Sequence, residues 1–264
     1  MIYLSSRFFA PLIALSVIGG YSHIAHGQTV VRSNTANGEI RLTVNNDSEG
    51  QVIGTTLSTA NFHSTSPSSV GSGGSTPNRR TANIVYFFQI PTLAPGEMIG
   101  SASLSLALVD RRLDLQGGEP FEPNLDVYGV GFQVSPSRQT SWFYQGPNDP
   151  AATLIQAGFA TSGSPLERTE TSAAGDVNLA VFLNSLYAEG ATGGEYAVIR
   201  LNLSEDFNPN SSITRYQLQG SRADENPAND AYLTYTVIPE PATAGLLLGG
   251  AILLSLVVLR RRRS

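Results

Sequence analysis

The chain has 264 residues, 41% of them hydrophobic, with 16 basic and 21 acidic side chains and a formal charge of −5. Every basic side chain is Arg, and there is neither Lys nor Cys, which excludes disulfides, thiolate metal sites and lysine Schiff-base or isopeptide chemistry. Five arginines lie at the two ends, leaving 11 Arg against 20 acids between Gln28 and Val237, so the middle has no basic footprint for nucleic acid.

The first element in chain order is a leader. Arg7 supplies a positive start, Phe8 to Gly20 is an apolar run of 13 residues, and Ala25-His26-Gly27 places small residues around a cleavage point before Gln28. Thirteen apolar residues are short for a bilayer span. Residues 1–27 therefore read as a secretory signal peptide, with an uncleaved N-terminal anchor as the alternative. Either reading carries the middle of the chain out of the cytoplasm. An exported domain without Cys has only its core to hold it together.

Residues 28–237 read as one domain. Ile40 to Val44 and Gln51 to Leu57 are candidate strands near its start. Ser64 to Thr76 is nearly all Ser, Gly, Thr and Pro and reads as a flexible loop, because too few residues precede it for a separate core. Ile84 to Ile90 is apolar on both faces, the pattern of a central strand. Ser101 to Leu108 alternates, with Ala102, Leu104, Leu106 and Leu108 on one face and Ser101, Ser103 and Ser105 on the other, as a half-buried antiparallel strand does. Gly117 to Pro123 and Gly146 to Pro150 read as loops on either side of a strand at Leu125 to Val130, and Thr153 to Phe159 is ambiguous.

One helix follows. Asp176 can cap it, Val177, Ala180, Val181, Asn184 and Tyr187 fall at helical spacing, and Gly190 would end it. Tyr196 to Leu203, Tyr216 to Leu218 and Ala231 to Val237 complete the strands. Many short strands with one short helix predict an all-β fold, an antiparallel β-sandwich or jelly roll.

The C-terminal end carries the clearest signal. Pro239-Glu240-Pro241 cannot be helical and reads as extended and exposed. Ala242 to Leu259 has no charge in 18 residues, ten of them Leu, Ile or Val. As a helix it reaches about 27 Å, the depth of a bilayer core. Arg260, Arg261, Arg262 and Arg263 follow at once and would hold the tail end in the cytoplasm, with the domain on the far side.

This order of Pro-Glu-Pro, apolar span and Arg cluster over residues 238–264 resembles the PEP-CTERM sorting signal of Gram-negative bacteria that make extracellular polysaccharide. The resemblance implies recognition of Pro239, Glu240 and Pro241 as substrate residues by an exosortase-type membrane protease. It implies export across the inner membrane and anchoring by the C-terminal helix. The protein would then reach the cell surface or extracellular matrix. A plain C-terminal anchor that keeps its tail is the alternative. The middle of the chain resembles the DNRLRE-type carbohydrate-binding jelly roll. The order that carries this is Arg80 before Ile84-Val85-Tyr86-Phe87-Phe88, then Pro95-Gly96, Ser101 to Leu106, Asp126-Val127-Tyr128, Asp176-Val177, Ser221-Arg222, and a last strand through Leu233 and Tyr235. The motif that names that family is absent, and Ala231-Tyr232-Leu233 lacks the expected proline.

Few residues suggest chemistry. His63 is the sole His of residues 28–237, and there is no Gly-x-Ser-x-Gly elbow, so a His-based triad is not indicated. Glu205-Asp206 and Asp224-Glu225 are adjacent carboxylates, and neighbours on a strand point to opposite faces rather than forming an acid–base pair. No cofactor is expected. Asn45 to Glu49, and Asp110 with Asp114, are candidate ligands of a structural calcium ion, and turn chemistry accounts for those residues equally. Trp142 and Tyr144, with Arg80, are candidate contacts for extracellular polysaccharide, by stacking on sugar rings and pairing with acidic groups. A Trp that anchors a loop to the core is the competing reading. The expectation is a non-enzymatic surface or matrix protein, structural or adhesive, with a surface-tethered carbohydrate-active enzyme using paired carboxylates as the alternative.

Overall fold

The structure, a computed structural model, describes residues 27–46, 52–61, 68–75, 78–113, 115–116, 119–120, 122–144, 149–205, 214–219 and 230–240. Its strands are β1 (Thr29–Arg32), β2 (Gly38–Asn46), β3 (Val52–Asn61), β4 (Ser68–Ser75), β5 (Asn78–Gln89), β6 (Glu97–Leu113), β7 (Leu115–Gln116), β8 (Glu119–Pro120), β9 (Leu125–Gln133), β10 (Thr153–Ala160), β11 (Arg168–Glu170), β12 (Tyr196–Leu203), β13 (Thr214–Leu218) and β14 (Tyr232–Pro239). One α-helix, α1 (Ala173–Ala188), and one 3₁₀ turn at Thr140–Trp142 are present among the described residues.

Twelve strands make one sheet in the order β1-β14-β6-β13-β4-β5-β12-β9-β10, with β11 also on β6 and a β2–β3 hairpin branching from β5. All of its pairings are antiparallel. β6 joins the two halves: Glu97 to Ser105 pairs with β14, and Leu108 to Leu113 pairs with β13. The sheet curls about one core that takes Leu104, Leu233 and Tyr235 from one half and Ile84, Tyr86, Phe88, Leu125, Val127, Ile199 and Leu201 from the other. Among the described residues the fold is all-β with one helix, as the sequence predicts for residues 28–237.

The inward face read in Ser101 to Leu108 holds, with Ala102, Leu104, Leu106 and Leu108 all buried, but on the other face only Ser101 and Ser103 stay open: Ser105 and Ala107 are buried as well. β5 is covered on both faces, as a doubly apolar strand must be. Ile84, Tyr86 and Phe88 enter the main core, while Val85 and Phe87 join a second cluster with Ile40 and Val198 on the opposite face.

Two expectations need correction. The Ser/Gly-rich stretch read as a loop contains β4, paired to β5 through Gly71–Ser75 and to β13 through Ser68–Gly71. Backbone pairing on both edges outweighs the poor strand propensity of Ser and Gly. The helix starts earlier than Asp176. Ser172 is its N-cap, and its side chain accepts from the Gly175 N–H. Of the residues read at helical spacing, Ala180 is buried together with Leu179, Phe182, Leu183 and Leu186, and Tyr187 packs against the core, while Val177 and Val181 are each 63% exposed. The helix is apolar nearly all round, so spacing alone does not single out its inward face. Its end is as expected: Gly190, at φ +104°, donates to the Tyr187 carbonyl, and Ala191 donates to that of Leu186.

The predicted signal peptide, apart from Gly27, and the predicted span at residues 242–259 lie outside the described residues. Among the described residues no helix is long and apolar enough to cross a membrane.

Candidate functional site

The C-terminal exit of the domain is built from β14, the start of β6 and the end of α1. Ala94-Pro95-Gly96-Glu97 forms a turn in which the Glu97 N–H donates to the Ala94 carbonyl at 3.0 Å, with Gly96 at φ +78° as its left-handed residue. The turn launches β6, whose Glu97 and Met98 pair with Pro239 and Ile238 of β14. The Gly96 carbonyl then accepts the Glu240 N–H at 2.8 Å. Ile238 lies directly over Gly100, where a Cβ would come within 2.8 Å of its side chain. From α1, Asn184 clamps the same place, accepting from the Ile99 N–H and donating to the Ile99 carbonyl, each at 2.9 Å.

Ile238, Pro239 and Glu240 are nonetheless exposed. β1 covers the other edge of β14 only from Tyr232 to Tyr235, so Thr236 to Pro239 has an open edge among the described residues. Beside Glu240 lies a depression of about 640 Å³ lined by Leu93, Glu97, Met98, Asn184, Tyr187 and Ala188. Tyr187 donates to the Pro91 carbonyl at 2.7 Å, and burial raises its phenol above the usual range. Pro241 and Arg260 to Arg263 lie outside the described residues.

The predicted sugar contacts do not come together. Trp142 packs on Phe87 with ring centroids 6.0 Å apart, and the Tyr144 N–H donates to Asn83 at 2.9 Å. Both cover the β5 face that carries Asn83, Val85 and Phe87. Arg80 is exposed and has the strand parity of Ile84 and Tyr86, which enter the core on the opposite face. Trp142 and Tyr144 thus tie down the segment that follows β9.

The residue that organises this segment is Arg200, which sequence reasoning missed. It is 1% exposed on β12, and its Nη1 donates to Asp149 at 2.7 Å and to the Trp142 carbonyl at 3.1 Å. Its Nε donates to Asn202 at 3.2 Å, and its guanidinium lies 5.3 Å from the Tyr128 ring centroid and 5.5 Å from that of Tyr144. On the neighbouring strand, Asp126 accepts from the Gly158 N–H at 2.8 Å, and burial raises its carboxyl above the usual range despite that bond. A signal was present: Val198, Arg200 and Asn202 share one face of a strand whose other face is wholly apolar.

Glu205 is exposed, while Asp206, Asp224, Glu225, His63, Asp114 and Asp47 to Glu49 lie outside the described residues. Among the described residues no three of His, Cys, Asp and Glu are grouped as metal ligands. No protein-family model matches the chain, and no curated protein matches it in sequence.

Proposed function

We propose that this chain is an exported, non-enzymatic surface or matrix protein, whose β domain is delivered by a signal peptide and by a PEP-CTERM-type tail that an exosortase-type protease processes. One observation carries the reading. β1 runs antiparallel to β14 with Thr29 opposite Tyr235. The residues after the leader and the residues before the apolar tail therefore leave the domain side by side. Before the leader is removed both ends lie in one bilayer, and exits on the same pole suit that arrangement.

The chemistry of the exit agrees. Ile238 to Glu240 is extended and exposed, and the open edge of β14 from Thr236 to Pro239 offers unpaired backbone groups that a protease can pair with as an added strand. The domain's role is structural or adhesive, and extracellular polysaccharide is the class of partner that the sorting signal suggests.

The test is the intact mass of the mature protein from its native host. The expected chain starts near Gln28 and ends near Pro239 to Pro241, with or without attached mass. A mature chain that still contains Leu246 to Arg263 overturns the sorting reading and leaves a tail-anchored β domain.

A further inference from the structure

Apart from the open end of β14, the edge strands among the described residues are protected, with one exception. β1 has four residues and carries Arg32. β11 has three, two of them charged. β10 is broken by register shifts on either side of Gln156, and its Gly158 sits at φ +61°. These are the devices that keep edge strands from pairing with other chains: shortness, charge and bulges. β3 has none of them. It is ten residues long, contains no charge and no Pro, and keeps a regular register with β2 from Gly54 to Asn61. Its other edge has no partner among the described residues. Thr55, Thr56, Leu57, Ser58 and Thr59 are all exposed, so neither face of this stretch is covered.

We propose that β3 pairs edge to edge with β3 of a second copy of this chain, in an antiparallel register centred on Leu57. The sequence favours a second copy because it is chemically symmetric about that residue. In this register Leu57 faces its own counterpart, Thr56 faces Ser58, Thr55 faces Thr59 and Gly54 faces Ala60. Hydroxyl residues directly opposite one another and paired aliphatics stabilise such strands. The same patch on both copies makes a closed two-fold contact. β3 carries no charged side chain, so an antiparallel pair of its copies sets no like charges opposite one another. The sheet then runs without a break from β5 through β2 and β3 into the second molecule.

A single strand edge buries less than a standard protein interface, so covalent capture suits the test better than elution volume. The chain has no Cys, so each introduced thiol is unique. The full chain is prepared in membranes as Leu57→Cys, Thr55→Cys, Thr59→Cys and Val134→Cys variants and mildly oxidised. Leu57→Cys should give at least about tenfold more disulfide-linked dimer than Thr55→Cys alone, because the register sets the two Thr55 positions about 14 Å apart, beyond disulfide reach. Co-expressed Thr55→Cys and Thr59→Cys should give a mixed dimer. Adding Thr55→Glu and Thr59→Glu to Leu57→Cys should abolish dimerisation while Trp142 emission stays unchanged. Dimer from Leu57→Cys no greater than from the 75%-exposed Val134→Cys, or the absence of the mixed dimer, overturns the pairing. Neither result depends on where the tail is cut, so failure of the sorting reading is separately visible.

Discussion

Arg200 shows how one side chain can hold a long segment. A guanidinium taken out of water costs several kcal/mol unless its donors find partners, and here Asp149 and the Trp142 carbonyl accept from Nη1 and Asn202 from Nε, while Nη2 is buried without a hydrogen-bond partner among the described residues. Of these acceptors, Asp149 and Trp142 belong to the segment that crosses the sheet between β9 and β10. The Arg200→Ala variant removes the anchor and leaves Asp149, whose side chain is 10% exposed, without its counter-charge. Its expected cost is about 3–5 kcal/mol in urea unfolding. Trp142 is the sole Trp and rests on Phe87, so its emission should shift to the red in the folded variant as the segment lifts. Unchanged emission and stability would show that the aromatic contacts alone hold the segment.

At the scale of elements, α1 separates what periodicity can and cannot say. Its limits are written in local chemistry: the Ser172 hydroxyl caps the start, and Gly190 supplies the left-handed end. Its inward face is not, because the helix has a single charged residue, Asp176, to mark the water side. Two substitutions test the face. Leu183→Ala should cost about 2–5 kcal/mol by opening a cavity between the helix and the sheet. Val181→Ala, on the exposed stripe, should change stability by no more than about 0.5 kcal/mol. Equal losses at the two positions in thermal unfolding would show that the outer stripe is covered. β4 makes the complementary point. Ser and Gly are poor strand formers, yet Ser68–Ser75 lies between β5 and β13 with partners on both edges.

For the whole molecule, β6 is the element that makes one domain of two half-sheets. Its N-terminal part pairs with β14 and its C-terminal part with β13, and both halves fill the same core. Neither half can open without exposing the other's apolar face, so unfolding should be a single cooperative event. Far-UV circular dichroism and Trp142 fluorescence are expected to give the same denaturation midpoint. Separate midpoints would mean that the half carrying β1, β14 and β11 unfolds on its own. The same architecture brings Thr29 beside Tyr235, which places the two ends of the domain at one pole.

Residues close together in the chain were enough to establish the all-β class, the central position of β5, the inward face of β6 and the chemical character of both termini. Each depends on near neighbours: alternation, apolar runs, prolines and clustered charge. Contacts between distant segments settled the remainder. They make a strand of a Ser/Gly stretch, turn Leu183 of α1 inward and Val181 outward, and put Arg80 across the sheet from Trp142 and Tyr144. These outcomes depend on which remote strand supplies a hydrogen-bond partner and which face meets the core. Local pattern carries no information on either, because pairing and burial are set by residues far apart in the chain.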